Sequence, residues 1–578
     1  MVEYKALRAL KCTFPHCILI CNLWKKTQCT GEFILLCTKT RSFFQKYYIF
    51  YLIYHSKTYI IIMTKLKFLI VFCLLTMGIT QAFAQTYKVD GIESFNRNGI
   101  KAIKNGAEIT GYILFYKTDK ADSKNNNYAF ELLDEKLNKV NRVKVTLPKR
   151  SSLIQSAYNG ETLGLMFYDS KEGSYIFKAY DKTLKLAGSA TAKDLNKYEK
   201  AVMERVDPDE AASYYGIQAV PGKGFVRAGY GEDKDQYSVT MYDTNFKKKW
   251  GYQTPDGSKG METFILSDIS DKYVSGLTMR RKGMMSTKFE YYLTVFDIET
   301  GKKMVDASVE SAKENLSISA TNLLDNDEIL VQGEYYDLDD KAGVNKSNGL
   351  YLKKYDIKTA KSISETKFSW AADIKKLFDA KGKESIEDNY VNYPMDFIKA
   401  TNGHYYIVYE QFKKAADGVG IAVIALGGQA SAVKVKIGNI WVFEMDANYK
   451  PVGIKYYEKD ASSVGLPQGA GIYGSGLLGM FAKGIGGFDY QFTQQSLDKS
   501  TFNVSYLNYD RESGEKTKTI VGNIFLAKDG SLNYDKVDIT AAKKTNRAIY
   551  PASGNSVMLA VYNIKGESLE LKLVKLNY

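Results

Sequence analysis

The feature that most constrains this 578-residue chain is a recurring pair of short strands joined by an aspartate turn. A run that alternates apolar and polar residues, as a half-buried strand does, ends in Asp and resumes after a few polar residues. The phrase occurs seven times, at Asp134, Asp181, Asp243, Asp297, Asp356, Asp446 and Asp510. An Asp carboxylate accepts from backbone N–H groups about two residues further on. We therefore expect these residues to close hairpins as Asx-turns and not to act in catalysis.

A second alternating pair precedes each of these phrases, as in SSLIQSAYNGETLGLMFYD from Ser151 to Asp169. The unit is therefore four antiparallel strands, and successive Asp residues lie 47, 62, 54, 59, 90 and 64 residues apart. Four-stranded units of this period are typical of β-propeller blades. We predict an all-β, β-propeller-like ring of seven or eight four-stranded blades over residues 85–578. Two packed β-sandwich domains are the alternative.

The ends of the repeat suggest how the ring closes. Counting gives eight units from near Gly99, with the seventh poorly formed, and the last unit ends after its third strand in LELKLVKLNY. TYKVDGIESF (Thr86–Phe95) is a spare strand ahead of the first unit. We expect it to complete the last blade, because this removes an exposed sheet edge.

Residues 63–84 have the three parts of a secretory signal peptide. Lys65 and Lys67 form a basic region, an apolar run extends from Phe68 to Ile79, and Ala82-Phe83-Ala84 is an A-x-A cleavage site. The run is too short for an ordinary transmembrane helix. We interpret residues 1–62 as a spurious, disordered upstream leader that results from a wrongly assigned start. A genuine membrane anchor at residues 43–62 is the alternative.

The composition changes once residues 1–84 are set aside. They hold all six Cys and two of the three His, and without them the net charge falls from +14 to +5. An exported chain without disulfides fits a bacterial envelope protein. Cysteine nucleophiles, zinc-finger spacings and multi-histidine metal sites are excluded. No basic stripe with interleaved aromatics is present, so we predict no nucleic-acid partner, and no stable membrane span in the mature chain.

Residues 99–578 resemble secreted β-propeller-like proteins of the kind common in Bacteroidetes, which mostly have no assigned function. The resemblance rests on the hairpin pattern, without WD dipeptides, kelch double glycines or sialidase boxes. It implies an architecture and no activity. We expect an exported protein, periplasmic or extracellular, with outer-membrane association as a further option.

Three insertions interrupt the repeat, at 193–213, 371–391 and 413–439. The first two contain short helical patterns that suit packing on the rim of the disc. The third lies between two strands of the sixth unit and is apolar and glycine-rich, as is the stretch Val464–Phe488. These two stretches either form an apolar flap for a partner, a membrane surface or a hydrophobic ligand, or they cover each other or extend a blade as a long hairpin.

We assign no catalytic, cofactor-binding or metal-binding residue from the sequence. His404 is predicted to be a surface turn residue, and Asp337–Asp340 a solvated acidic turn that lacks the full calcium-loop pattern. We predict a non-enzymatic binding or scaffold propeller for an envelope protein, peptide or glycan, without a cofactor. The alternative is a glycan hydrolase with paired Asp/Glu residues on the axis. Two carboxylates about 5–10 Å apart in an axial pocket favour the enzyme, and a smooth or plugged axis favours the binder.

Overall fold

The computed structural model describes residues 86–576, apart from 95, 106, 194, 205–214, 234, 256–259, 282–288, 342–344, 380–381, 384–389, 428–429, 467–473, 511–517 and 540–544. The chain divides into two compact units, residues 1–83 and 84–578, and the second contains all the described residues. The predicted leader at 1–62 and the predicted signal peptide at 63–84 lie outside the described residues.

Eight antiparallel sheets follow one another along the chain and form the blades of a β-propeller. In blades 1 to 7 the strands are ordered in the sheet as they are in the chain, so each blade is a meander. Blade 1 comprises β2 (Ile100–Asn105), β3 (Glu108–Lys120), β4 (Asn125–Asp134) and β5 (Lys139–Pro148), and blade 2 comprises β6 (Ser151–Tyr158), β7 (Leu163–Asp169), β8 (Ser174–Tyr180) and β9 (Leu186–Ala192). Blade 3 comprises β10 (Ile217–Val220), β11 (Gly224–Tyr230), β12 (Tyr237–Tyr242) and β13 (Lys248–Gln253), and blade 4 comprises β14 (Met261–Ile269), β15 (Tyr273–Arg281), β16 (Glu290–Asp297) and β17 (Lys303–Ser308).

The second half of the ring follows the same plan, with one additional strand, β26, in blade 6. Blade 5 comprises β18 (Glu314–Leu323), β19 (Glu328–Asp337), β20 (Gly349–Asp356) and β21 (Lys361–Ser369), and blade 6 comprises β22 (Val391–Lys399), β23 (Tyr405–Ala416), β24 (Val433–Met445), β25 (Pro451–Tyr457) and β26 (Ser462–Gly465). Blade 7 comprises β27 (Tyr490–Gln495), β28 (Phe502–Asp510), β29 (Lys518–Leu526) and β30 (Leu532–Asp538), and blade 8 comprises β31 (Thr545–Pro551), β32 (Ser556–Asn563), β33 (Ser568–Lys575) and β1 (Thr86–Asp90).

The core is divided among the interfaces between blades. One apolar cluster lies between each successive pair of blades, and the eighth cluster joins blade 8 to blade 1. The first strands of neighbouring blades also contact one another, as β2 does with β6 and β31. These first strands therefore line the axis. The propeller is confirmed, with eight blades, and the alternative of two β-sandwiches is wrong.

The N-terminal strand closes the ring as expected. β1 pairs antiparallel with β33, from Thr86 opposite Lys572 to Asp90 opposite Ser568, and so supplies the outer strand of blade 8. The Tyr87 hydroxyl also donates to Glu131 Oε2 of blade 1 at 2.7 Å. Closure is therefore made both within blade 8 and across its interface with blade 1.

The Asx-turn prediction is confirmed at the six turns that join a third strand to a fourth. Asp134 Oδ1 accepts from the backbone N–H groups of Lys136 and Asn138 at 2.9 and 2.7 Å. The corresponding bonds form at Asp181, Asp243, Asp297, Asp356 and Asp446. Three or four residues after each Asp, a residue with positive φ completes the turn, as Phe246 does at φ 63°. Its buried ring enters the interface between blades 2 and 3, which offsets the cost of the left-handed backbone.

The phase predicted for the seventh unit is wrong. Blade 7 has four well-formed strands, and Asp510 ends its second strand, not its third. The turn between its third and fourth strands uses Asp529, whose Oδ1 accepts from Ser531 N at 2.9 Å. Both turns have the same polar chemistry, so the local pattern does not distinguish between them.

Meander topology gives the ring two different faces. One face carries the connections from strand 1 to 2 and from 3 to 4, and we call it the turn face because these connections are short. The opposite face carries the connections from strand 2 to 3 and from the fourth strand to the next blade. We call it the insertion face, because the insertions at 193–213, 371–391 and 413–439 and the stretch 464–488 all emerge there.

The first two insertions contain short helices that pack on the blades. Helix α1 (Lys197–Met203) buries Met203 in the core between blades 2 and 3, and its buried Glu199 accepts from Tyr175 at 2.6 Å and from Arg227. In the second insertion a π-helical turn (Trp370–Ile374) runs into a 3-10 turn (Lys375–Leu377), and Trp370 and Ile374 join the core between blades 5 and 6.

The two glycine-rich stretches have different fates. The insertion at 413–439 extends blade 6 as a long hairpin of β23 and β24, tipped by helix α2 (Gly418–Ala425), whose side chains are exposed. In the second stretch, β26 pairs with the extended part of β24, and helix α3 (Ser475–Gly484) is largely buried. The long-hairpin alternative therefore describes the first stretch. In the described part of the chain, no helix combines the length and apolar character needed to cross a membrane.

Candidate functional site

The axial strands are interrupted by β-bulges. In six blades the pairing of the first strand with the second shifts by one residue. The shifts fall at Ile103/Lys104, Leu153/Gln155, Leu266/Asp268, Ile318/Ala320, Pro394/Asp396 and Tyr490/Phe492. Because a bulge re-aims the side chains beside it, a strand with an apolar alternation can present a charged group at this point. Asp268 and Asp396 directly follow such a bulge, whereas in blade 1 the extra residue, Thr110, lies on β3 beside the partner of Lys104.

Asp268 and Asp396 are held by backbone donors near the axis. Asp268 accepts from Ile269 N at 2.8 Å and, across the interface to blade 5, from Leu323 N at 2.7 Å. Burial raises the pKa of the Asp268 carboxyl to about 6, although the hydrogen bonds from the two backbone N–H groups act to lower this pKa. Asp396 accepts from Phe397 N at 2.8 Å, and burial also raises the pKa of its carboxyl. Each carboxylate lies within electrostatic reach of the other.

Three lysines accompany these acids. Lys483, on α3, donates to the Met395 carbonyl at 2.9 Å, and its charge lies near Asp268 and Asp396. Lys104, on the inner strand of blade 1, lies near Asp396 from another side of the ring, with Lys101 close to it. Burial lowers the pKa of all three ammonium groups. We call these five residues the axial cluster. Its perturbed groups are of the kind found at functional sites.

Helix α3 occupies the insertion-face side of the axis. It packs on the inner strands of blades 5 and 6, and Ser475 Oγ lies 2.8 Å from Ser317 Oγ. Two glycines allow the close approach, since a Cβ at Gly476 would lie 2.2 Å from the Ile318 carbonyl oxygen and one at Gly479 would lie 2.1 Å from the Tyr393 ring. The helix delivers Lys483 to the axial cluster and narrows the route to it from the insertion face.

A cavity of about 370 Å³ opens on the turn face, where the inner strands of blades 5, 6 and 7 end. Asp396 and Thr493 line its inner part, so the cavity leads to the axial cluster. Its mouth carries the ion pair of Lys399 with Asp325, at 2.8 Å, and the ring of Tyr405. We call this space the turn-face cavity. It joins charged groups of both signs to an aromatic surface.

The Tyr405 ring is held rigidly. It stacks on Tyr449 with a centroid separation of 4.9 Å and an interplanar angle of 7°, and on Phe397 at 5.4 Å. A ring fixed between two others offers contact area at little conformational cost. A second cavity of about 490 Å³ lies on the same face between blades 7, 8 and 1, beside Gln494 and Ala552.

The residues considered from the sequence lie elsewhere. His404 is in the 400–404 turn, as predicted, and its Nδ1 lies 2.6 Å from Glu444 Oε1. Asp337–Asp340 is an exposed turn, where Asp337 accepts from Asn348 Nδ2 at 2.9 Å. Over the part of the chain that the structure describes, no group of three or more His, Cys, Asp or Glu residues is placed to hold a metal ion.

Sequence reasoning missed the axial cluster. Asp268, Asp396 and Lys483 are far apart in the chain, and only ring closure brings them together. A signal exists: in both inner strands the strict alternation breaks next to the acid, at the bulges beside Ser267 and Met395. A polar residue just after a broken alternation in the first strand of a blade would have marked these positions.

A sequence model described as a family of unknown function, DUF6770, matches residues 63–577. The chain belongs to the DUF6770 family. The match begins at Met63, where the predicted signal peptide starts. No curated protein sequence matches this DUF6770 member.

Solved propellers are similar to the DUF6770 chain at very low sequence identity. The WD40 domain of SCAP from fission yeast is 10% identical, with a TM-score of 0.34, over 82% of this chain and 98% of that one. The β-propeller domain of the Trilobed protease from Pyrococcus furiosus is also 10% identical, with a TM-score of 0.29, over 66% and 96%. Prolyl oligopeptidase B from Galerina marginata is 8% identical, with a TM-score of 0.32, over 79% of this chain and 56% of that one. These likenesses concern the fold, and the site must be argued from its own residues.

Proposed function

We propose that this DUF6770 member is an exported, non-enzymatic binding or scaffold propeller that takes a peptide or glycan of the bacterial envelope into the turn-face cavity. The observation that carries the proposal is the cavity itself, about 370 Å³ in volume, at the ends of three inner strands. Concave sites with a few convergent polar groups are the usual ligand sites of globular proteins.

The chemistry of the cavity suits a polar ligand. Lys399 and Asp325 offer a donor and an acceptor 2.8 Å apart, which can pair with an amide or with neighbouring hydroxyl groups. Tyr405, held between the Tyr449 and Phe397 rings, offers the edge of a rigid ring for contact with a ligand. Both classes of envelope polymer meet these requirements, so the first experiment must compare them.

Two observations support export: the order of residues 63–84 and the position at which the family match begins. Residues 63–84 have the order of a signal peptide, and the match to DUF6770 begins at Met63. Mass spectrometry of the native protein should find Gln85 at the N-terminus. A peptide from residues 1–62 would contradict both the proposed start and the spurious-leader interpretation.

Parallel glycan and peptide arrays test the binding proposal. Wild-type protein should bind a restricted set of ligands in one array, and Lys399→Ala should weaken that binding about tenfold or more, because a charged hydrogen bond is lost. Lys272→Ala is the matched control: it breaks an ion pair with Asp327, at 3.2 Å, that also lies on the turn face but outside the cavity. Equal losses in both variants would contradict a site in the cavity.

The hydrolase alternative has one specific observation in its favour. Asp268 and Asp396 share the axial cluster, and a carboxyl with a raised pKa, such as that of Asp268, can act as a general acid. Helix α3 favours the binding role, because it narrows the route by which a glycan chain would reach the two carboxylates from the insertion face. Release of reducing ends from envelope glycans, abolished by Asp396→Asn, would establish the hydrolase and overturn the non-enzymatic proposal.

A further inference from the structure

The tip of the blade 6 hairpin exposes an apolar helix. Leu426 is 90% exposed and Val419 75%, and Ile421, Ile424 and Val423 are 47%, 44% and 37% exposed. Large apolar side chains crowded at this level in one short segment are unusual on a soluble surface and mark an interaction site. In α2 itself only Gly420 is buried.

The helix is apolar on every side. No charged residue occurs between Asp417 and Lys434, and the exposed side chains at 419, 421, 423, 424 and 426 are distributed around the helix axis. A helix that docks in a protein groove keeps one polar face towards water. A helix that is apolar all round suits a medium that surrounds it, such as lipid.

Lysines lie directly below this helix on the hairpin. In the register of β23 with β24, Lys413 stands opposite Lys436, and Lys434 follows two residues nearer the tip on the same face. Lys413 lies over the Tyr390 ring at 4.3 Å, and no described acid forms an ion pair with any of the three. Like charges placed opposite each other are destabilising unless an anion lies beside them.

The hairpin holds the helix away from the ring. The pairs from Phe412–Ile437 to Ala416–Val433 extend blade 6 on the insertion face, and β26 supports the extension from one side. An anchor on this face leaves the turn-face cavity, on the opposite side, open to solvent.

We propose that α2 inserts into one leaflet of an anionic lipid bilayer, while Lys413, Lys434 and Lys436 contact the phosphates of the headgroups. The helix has eight residues and is about 12 Å long, well below the ~30 Å of a hydrocarbon core, so it enters one leaflet and does not span the bilayer. The inference goes beyond the proposed function, since the two concern opposite faces of the ring.

Vesicle binding of the full chain tests the inference. Wild-type protein should co-sediment with vesicles of phosphatidylcholine and phosphatidylglycerol, and Leu426→Asp should weaken this binding about tenfold or more. Leu338→Asp is the matched control, since Leu338 is an exposed apolar residue (58%) in the corresponding connection of blade 5, outside the hairpin that carries α2. Lys434→Ser should weaken binding to anionic vesicles about fivefold and leave weak binding to pure phosphatidylcholine unchanged.

Depth of insertion supplies the second measurement. Leu426→Trp should keep the apolar character of the tip, and its fluorescence should be quenched by lipids brominated on their acyl chains. Absence of quenching, or vesicle binding that survives Leu426→Asp, overturns the proposal. The proposal is also overturned if the wild-type protein does not bind vesicles but self-associates through α2, since the partner of this helix would then be a second copy of the chain. Ligand binding at the turn-face cavity is measured without vesicles, so failure of either proposal is seen separately.

Discussion

Replacing Asp268 by asparagine should stabilise the propeller at alkaline pH and destabilise it at acid pH. The folded protein raises the pKa of this carboxyl from 3.8 to about 6, with burial as the main cause. The folded state therefore keeps a proton that the unfolded chain releases between about pH 4 and pH 6, and stability falls as the pH rises through this window. At about 1.4 kcal/mol per pKa unit, the cost above pH 6 is about 3 kcal/mol.

The substitution removes this cost but loses one acceptor. An asparagine side chain has a single acceptor oxygen and could accept from only one of Ile269 N and Leu323 N, which costs about 1 kcal/mol. The net gain at pH 8 is about 2 kcal/mol, and at pH 4 a loss of about 1 kcal/mol remains. For a chain of this size the entropy of unfolding is about 1 kcal/mol/K, so calorimetry should find Tm raised by about 2 °C at pH 8.

The control is Asp271→Asn, in the exposed turn that follows the same strand. It should leave the pH dependence of Tm as in the wild type. A fall in Tm for Asp268→Asn of similar size at pH 4 and pH 8 would refute the reasoning. The buried, ionised carboxylate would then stabilise the folded state at pH 8 and not destabilise it.

Three further substitutions test the packing of the ring. Lys459→Met should lower stability by about 3–5 kcal/mol, measured by thermal unfolding, because it leaves Glu410 without its buried partner at 3.0 Å. Gly476→Ala should loosen α3, seen as faster hydrogen exchange over 475–484, since its Cβ would lie 2.2 Å from a carbonyl oxygen of blade 5. Tyr87→Phe removes the bond to Glu131 at 2.7 Å and should cost about 1–2 kcal/mol of stability, with the exchange of blade 8 most affected. A Tm unchanged by all three would contradict the interfaces described.

The architecture was predictable because its signals are local. An Asp that caps a turn acts within four residues, as Asp134 does with Asn138, and strand alternation is visible in the chain. Ring closure by Thr86–Asp90 followed from counting strands. The turns of blade 7 were assigned wrongly because the connections after its second and third strands are both polar. Only the strand pairing shows that Asp529, and not Asp510, lies between the third and fourth strands.

The candidate site was not predictable in the same way. Asp268 and Asp396 belong to inner strands of blades 4 and 6, and Lys483 comes from a helix inserted between blades 6 and 7. Their proximity depends on ring closure and on bulges that turn polar side chains to the axis. The exposure of the α2 tip likewise depends on pairing: with β23 and β24 extended, Leu426 has no neighbouring blade to pack on.

Photocrosslinking in the living cell tests the central claim, that the turn-face cavity is the ligand site. Tyr405 is replaced by p-benzoylphenylalanine, and in a parallel strain so is Tyr534, a 38% exposed residue on the outer strand of blade 7. Irradiation should attach an envelope peptide or glycan at position 405 and not at 534. Absence of an adduct at 405, or the same adduct at both positions, would contradict the account.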